Sequence, residues 1–262
     1  MKRALKITGV VTGLFLIPLL AAFMYYLGVT ANVRLDANKL VTPSAYVRLY
    51  DASGEEIPAA VVATCAADSL PDCVGNAFVA VEDKRFYEHH GIDTKRIFGA
   101  LWHNLTSFSF KEGASTISQQ LIKNTHLSSE KTINRKLKEM KLARALEKKY
   151  SKEEILSMYL NSIYFGHSAF GIENAAQYYF GIHASQLDAA QSAMLAGIVR
   201  SPNRYSPFRD AQRCLSRRDL ILSLMNKQGY LSEEEYAAAL QEPLPQEPAS
   251  QPTQNAYIRL VW

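Results

Sequence analysis

Cysteine is scarce, with three in 262 residues, and no CxxC, HExxH or zinc-finger spacing accompanies it. A disulfide framework and a structural zinc module are excluded. No GxGxxG and no GxxxxGK[ST] occurs, so a dinucleotide or P-loop nucleotide site has nothing behind it. An excess of one charge is missing too: 29 Lys and Arg against 25 Asp and Glu leave +4, too little to mark a nucleic-acid binder. The 48% apolar composition instead suits one moderate or two small globular domains.

The charge that is present is unevenly placed. Lys2, Arg3 and Lys6 precede an uncharged run from Ile7 to Val33. As helix, residues 7–29 cover about the 30 Å hydrocarbon core of a bilayer. The positive-inside rule keeps residues 1–6 in the cytoplasm as a basic tail, puts Tyr25 and Tyr26 at the outer interface, and places the chain from about residue 31 outside. A cleaved signal peptide ending at Val29-Thr30-Ala31 is the rival, but such apolar cores run about 7–15 residues. The expectation is an uncleaved single-pass anchor over 7–29. Outside the cytoplasm, Cys65 and Cys73 fit a bridge across CAADSLPDC as well as they fit two separate thiols, and Cys214 reads as an unpaired packing residue.

Beyond the anchor, AYVRLYDASGEEI (Ala45 to Ile57) carries a hairpin signal, and residues 30–70 read as that hairpin and a connecting region. From there the pattern is helical. Start signals stand at Asp72, at Asp93, at Ser151 with Glu154 and at Ser232 with Glu235, the last two as capping boxes. The body, residues 71–240, is expected to be mainly α. Residues 241–262 form a Pro/Gln-rich tail.

Three stretches carry candidate chemistry. Between Lys111 and Lys149 ten basic residues face four acidic ones, a local +6. On a helical wheel Ile133, Leu137, Met140 and Arg144 form the expected core stripe, while Arg135 and Glu139 share the opposite face with Leu142 and Leu146. A charge pair among leucines points to a covered, functional side; a surface salt bridge is the plainer alternative. In VEDKRFYEHHGID, Glu82 emerges at the edge of an apolar face, where a base is well placed and a solvated glutamate is the commoner finding. His89 and His90 read as turn residues before Gly91. In EGASTISQQLIKN a small-residue loop with Gly113, Ser115 and Thr116 opens onto a helix carrying Gln119, Gln120, Lys123 and Asn124. That pattern suits an anionic, oxygen-rich ligand, and equally an ordinary polar helix start.

Together these stretches resemble the peptidoglycan glycosyltransferases of glycosyltransferase family 51, found as monofunctional enzymes and as the N-terminal domain of class A penicillin-binding proteins. The motif EDxxFxxHxG is met by Glu82, Asp83, Phe86, His89 and Gly91. GxSTxxQQxxKN is met by Gly113, Ser115, Thr116, Gln119, Gln120, Lys123 and Asn124, and RKxxE by Arg135, Lys136 and Glu139. YLNSIYFG (Tyr159 to Gly166), FGIENAAQYYFG and LAGIVRSPNRYSP (Leu195 to Pro207) follow in family order, and the similarity covers about residues 45–240. Gln191 stands where relatives often have Glu. SxxK at Ser128 to Lys131 and SxN at Ser201 to Asn203 fall inside these stretches without a KTG or KSG, and count as chance.

The resemblance implies a lysozyme-like two-lobed helical domain with a small N-terminal β-hairpin, preceded by one transmembrane helix. It implies polymerisation of lipid II into β-1,4 glycan strands with release of undecaprenyl diphosphate. Glu82 would be the general base and Glu139 an assisting carboxylate. Lys123, Arg135 and Lys136 would hold pyrophosphate, and Ser115, Thr116, Gln120 and Asn124 would bind sugar or phosphate oxygens. No cofactor is obligatory; a divalent cation (Mg or Mn) at the pyrophosphate stays open. Implied partners are lipid II, the growing strand, the membrane and cell-wall synthesis proteins, with the catalytic domain on the outer face of the bacterial cytoplasmic membrane. Trp102, Phe108 and Phe110 are expected to dip into its outer leaflet or to pack in the core. A lytic transglycosylase and an inactive membrane-anchored scaffold are the alternatives. The cationic group argues against the first and the intact Glu82 and Glu139 against the second.

Overall fold

The computed structural model describes residues 2–41, 49–50, 56–57, 65, 69–97, 99, 115–128 and 130–249, with the side chains of the first helix described from Leu16 onward. In chain order these form α1 (Lys2–Thr30), α2 (Asn38–Val41), β1 (Leu49–Tyr50), β2 (Glu56–Ile57) and α3 (Asp72–Glu82). Then follow α4 (Ile117–His126), α5 (Ile133–Lys149), α6 (Lys152–Ser162), α7 (Ile172–Phe180), α8 (Ala189–Val199), α9 (Pro202–Tyr205), α10 (Ala211–Lys227) and α11 (Glu233–Gln241). The protein is mainly helical. The two short strands pair antiparallel, Leu49 with Ile57 and Tyr50 with Glu56. The rest of the expected hairpin, 45–48 and 51–55, lies outside the described residues, as do Gly113, Trp102, Phe108 and Phe110.

Side-chain caps explain where the helices begin. Full capping boxes form at Thr116 with Gln119, Ser151 with Glu154, Asp188 with Gln191 and Ser232 with Glu235, each contributing about 1 kcal/mol. Gln191 thus does by amide what Glu would do by carboxylate. At α3 the expected cap shifts by one: Pro71 takes the N-cap position and Asp72 is the first helical residue.

The core is built round α8, buried at nearly every position from Ala190 to Ile198, with α3 and α10 packed against it. A second contact runs from α4 to α5 and α6. Here the covered side expected for Arg135 and Glu139 on α5 is found, and the expected core stripe is inward only in part, with Leu137 and Met140 half-buried. Ile133 is 75% exposed and Arg144 is exposed, whereas Leu142, Leu146 and Glu139 are buried. The Arg135/Glu139 face is the one that α4 covers, so the leucines beside the charge pair belong to the core.

Packing also joins α1 to α5. Tyr25 donates to Asn134 Oδ1 at 2.6 Å, and Lys141 Nζ donates to the Thr30 carbonyl, the last of α1, at 2.6 Å. Leu16, Ile17, Leu19, Leu20, Phe23 and Met24 remain exposed. Among the described residues no helix is long and apolar enough to cross a membrane.

The three cysteines are free thiols. Cys65 donates to Glu173 Oε2 at 3.2 Å and Cys73 to the Leu187 carbonyl at 3.5 Å, so the two are held apart. Of the two readings of this pair, the separate thiols are found. Burial first, then the hydrogen bond and charge of Glu173, push Cys65 up to about 12; burial pushes Cys214 up to about 12. The thiols therefore stay protonated throughout the neutral range, and only thiolates react readily. Native protein at pH 8 is expected to alkylate far more slowly than free cysteine, with all three thiols reacting on unfolding. Gly91 supplies a second test. Its φ is +84°, and a Cβ there would sit 2.6 Å from the Ala143 carbonyl oxygen of α5. Gly91→Ala should cost at least about 2 kcal/mol, a fall of roughly 5 °C in Tm by thermal denaturation.

Candidate active site

The site begins where α3 stops. Asp83 leaves the helix at φ −154° and ψ 66°, because its buried carboxylate is claimed elsewhere. It accepts from the Ile117 amide at 3.0 Å, at the start of α4, and from His89 Nε2 at 2.9 Å. An anion at a helix N-terminus satisfies amides that have no intrahelical partner. Behind His89 lies Glu147, 3% exposed, which accepts from Ser118 Oγ and from Lys152 Nζ at 2.7 Å. Lys152 also donates to the His89 carbonyl at 2.7 Å and stands 4.4 Å over the Phe86 ring. The network ties α3, α4, α5 and α6 together.

So anchored, Glu82 presents its carboxylate to Gln120, whose Nε2 donates to Oε2 at 2.8 Å. The amide is oriented from below, where the Tyr159 hydroxyl donates to Gln120 Oε1 at 3.3 Å. Burial first, then the negative charges of Glu82 and Asp83, raise the Tyr159 phenol well above its ordinary value. Tyr159 is consequently a permanent donor, which leaves the Gln120 amino group for Glu82.

Glu82 opens onto a groove of about 310 Å³ lined by Ser115, Gln119, Gln120, Lys123, Glu139, Val199 and Arg200 as well. Glu139 is 2% exposed and accepts from Arg135 Nη1 at 2.7 Å and from Lys136 Nζ. Lys136 donates onward to Ser115 Oγ at 3.0 Å. Five expected site residues therefore meet in one groove: Glu82, Ser115, Gln120, Lys123 and Glu139. Arg135 and Lys136 stand behind the wall as the partners of Glu139. Asn124 is exposed and outside the lining. Thr116 is placed differently from the expectation. It is fully buried, its hydroxyl donates to the Gly91 carbonyl at 2.8 Å, and it caps α4; the T-x-x-Q signature was the available signal.

Val199 and Arg200 were not singled out by sequence. The signal for Arg200 is a lone cation directly after the apolar stretch Ala193 to Val199 that ends α8. Gln119 Nε2 is buried with no hydrogen-bond partner among the described residues. No cluster of three or more His, Cys, Asp or Glu able to hold a metal is present among them. Losing Glu147 should be felt throughout the network, because it strands Lys152 and leaves Ser118 without its acceptor. Glu147→Ala is expected to cost about 3–5 kcal/mol, and Glu147→Gln distinctly less, in chemical denaturation.

Comparison with known proteins shows the family. The transglycosylase family model matches residues 56–226. Penicillin-binding protein 1A/1B of Bacillus subtilis (strain 168) is 47% identical over 78% of this chain and 23% of its own length. Penicillin-binding protein 1A of Aquifex aeolicus (strain VF5) is 37% identical over 93% of this chain and 34% of its own. The chain spans about a quarter to a third of the length of these relatives. The crystal structure of penicillin-binding protein 1A from Haemophilus influenzae matches 81% of this chain and 22% of its own, at TM-score 0.43 and 23% identity, too loose a superposition to add weight. With well over half of its residues inside the family match, the chain belongs to the transglycosylase family.

Proposed function

We propose that this chain is a peptidoglycan glycosyltransferase that polymerises lipid II by a single inverting displacement. The observation that carries the reading is one groove holding a hydrogen-bonded carboxylate, Glu82, together with two cations, Lys123 and Arg200. The sugar C1 bears an α-linked diphosphate and is attacked by the 4-hydroxyl of another unit. As the C1–O4 bond forms, the C1–O(phosphate) bond breaks, the hydroxyl proton passes to Glu82, and the diphosphate leaves as an anion. Such a leaving group needs positive charge and no acid. Lys123 and Arg200 supply that charge at the groove. Gln120 keeps the Glu82 carboxylate aimed, and Glu139, neutralised by Arg135 and Lys136, orients substrate at the second site through Ser115. A divalent cation, Mg or Mn, would add to the charge on the diphosphate without replacing these residues.

The remaining parts of the reading follow from the substrate. A lipid-linked donor stays in the bilayer, which suits an anchor over residues 7–29. The exposed apolar side chains of α1 from Leu16 to Met24 support it, being surface that only lipid or protein would cover. The fold is then the lysozyme-like two-lobed type, outside the cytoplasm, with cell-wall synthesis proteins as partners. A lytic enzyme would need an acid and has no use for two cations in the groove.

Purified chain incubated with lipid II should form long glycan strands. Glu82→Gln should lower kcat by about 10²–10⁴-fold, the range for loss of a general base. Lys123→Met should lower kcat/KM by at least about tenfold. Anhydro-sugar products from pre-formed peptidoglycan would replace this reading with lytic cleavage.

A further inference from the structure

The capping box at the start of α4 leaves one group over. Gln119 Oε1 accepts from the Thr116 amide at 3.1 Å, and the Thr116 hydroxyl accepts from the Gln119 amide at 3.1 Å. The backbone donor fixes which end of the side-chain amide is oxygen, so the other end is the amino group. That nitrogen has no acceptor among the described residues, and Gln119 is only 1% exposed. Gln119 also belongs to the lining of the groove, so it lies at the bottom rather than on the rim. Buried donors are rarely left without a partner, and one that is left calls for an explanation.

The cap does not provide one. The boxes that open α6 and α11 serve the same purpose with the exposed Glu154 and Glu235, and the amide in the α8 box, Gln191, is half-buried and within reach of water. At 119 the reaching side chain is enclosed, and a carboxylate there would add a third to Glu82 and Glu139 in one lining. Burial thus accounts for an amide in place of a carboxylate, but not for an amino group left idle. The acceptors that the protein itself places in the groove are engaged: Glu82 accepts from Gln120, and Glu139 from Arg135 and Lys136. Four residues on, and therefore on the same face of α4, stands Lys123, also in the lining. With Oε1 committed to Thr116, what Gln119 still offers is a donor, which suits a phosphate oxygen, an acceptor only, better than a sugar hydroxyl that must also give its proton. The terminal torsion of glutamine is soft, so the amino group can turn to such a ligand while Oε1 keeps the Thr116 amide.

We propose that the Gln119 amino group donates a hydrogen bond to a phosphate oxygen of the lipid-linked diphosphate, one helical turn from Lys123, so that a single amide both caps α4 and binds substrate. This rests on the glycosyltransferase reading, and the test separates the two. Undecaprenyl diphosphate, the released product, carries the phosphates without the sugars. Added in detergent to the full chain, at a concentration that raises the native Tm by about 6 °C, it should raise the Tm of Gln119→Met and of Gln119→Glu by no more than about half as much, the change for a roughly tenfold loss of affinity. Each rise is measured within one variant, with and without the ligand, so the stability of the cap itself cancels. The methionine variant removes the donor without adding charge, and the glutamate variant removes it while keeping the cap. With lipid II, both should lose about tenfold or more in kcat/KM. An undiminished rise in Gln119→Met would leave only charge repulsion behind the glutamate effect, and an undiminished rise in Gln119→Glu would leave only the cap behind the methionine effect; either overturns the proposal. No rise in the native chain overturns it as well. A native chain that binds the diphosphate through Gln119 but makes no strands from lipid II would sink the glycosyltransferase reading and leave the contact standing.

Discussion

One buried carboxylate, Asp83, decides how this molecule is arranged. By taking the first amide of α4 and the ring of His89, it stops α3 at the residue where Glu82 has to turn toward the groove, and fixes the start of the helix that carries Gln120 and Lys123. The ion pair behind it, Glu147 with Lys152, extends the same constraint to α5 and α6. A buried ionic network adds little net stability compared with an apolar core of the same shape. What it supplies here is direction: four helix ends meet at defined angles, and breaking any member leaves another unpaired.

Electrostatically the groove is divided into bound and available charge. Glu139 is fully committed to Arg135 and Lys136, whereas Lys123 and Arg200 face the opening. A groove of this kind has a low cost of accepting an anion, since its own carboxylates are hydrogen-bonded before anything arrives. The buried phenol of Tyr159 serves that order by keeping Gln120 turned one way.

Much of this was legible in residue order. The Ser151 and Ser232 caps form as the S-x-x-E spacing implies, since a cap is a local interaction that needs no knowledge of the fold. Glu82, Ser115, Gln120, Lys123 and Glu139 converge as the motifs implied. On α5 the covered side expected for Arg135 and Glu139 is found, while the opposite stripe is the more exposed one, and the reason is physical. A wheel gives the angles between side chains but not which side a neighbour will cover, and α5 has two apolar stripes of similar strength. Thr116 reads as a ligand in the sequence because hydroxyls in a small-residue loop look alike whether they face a solute or close a capping box.

The docking of α1 has a mechanical side. Two hydrogen bonds in its last two turns join it to α5, and α5 carries Glu139. A rod of 29 residues, about 43 Å at the usual helical rise, is thus clamped at one end to a wall of the groove. A swing of its far end becomes torque on that wall, and whatever medium holds the rod upright also sets the pitch at which the groove meets an incoming chain.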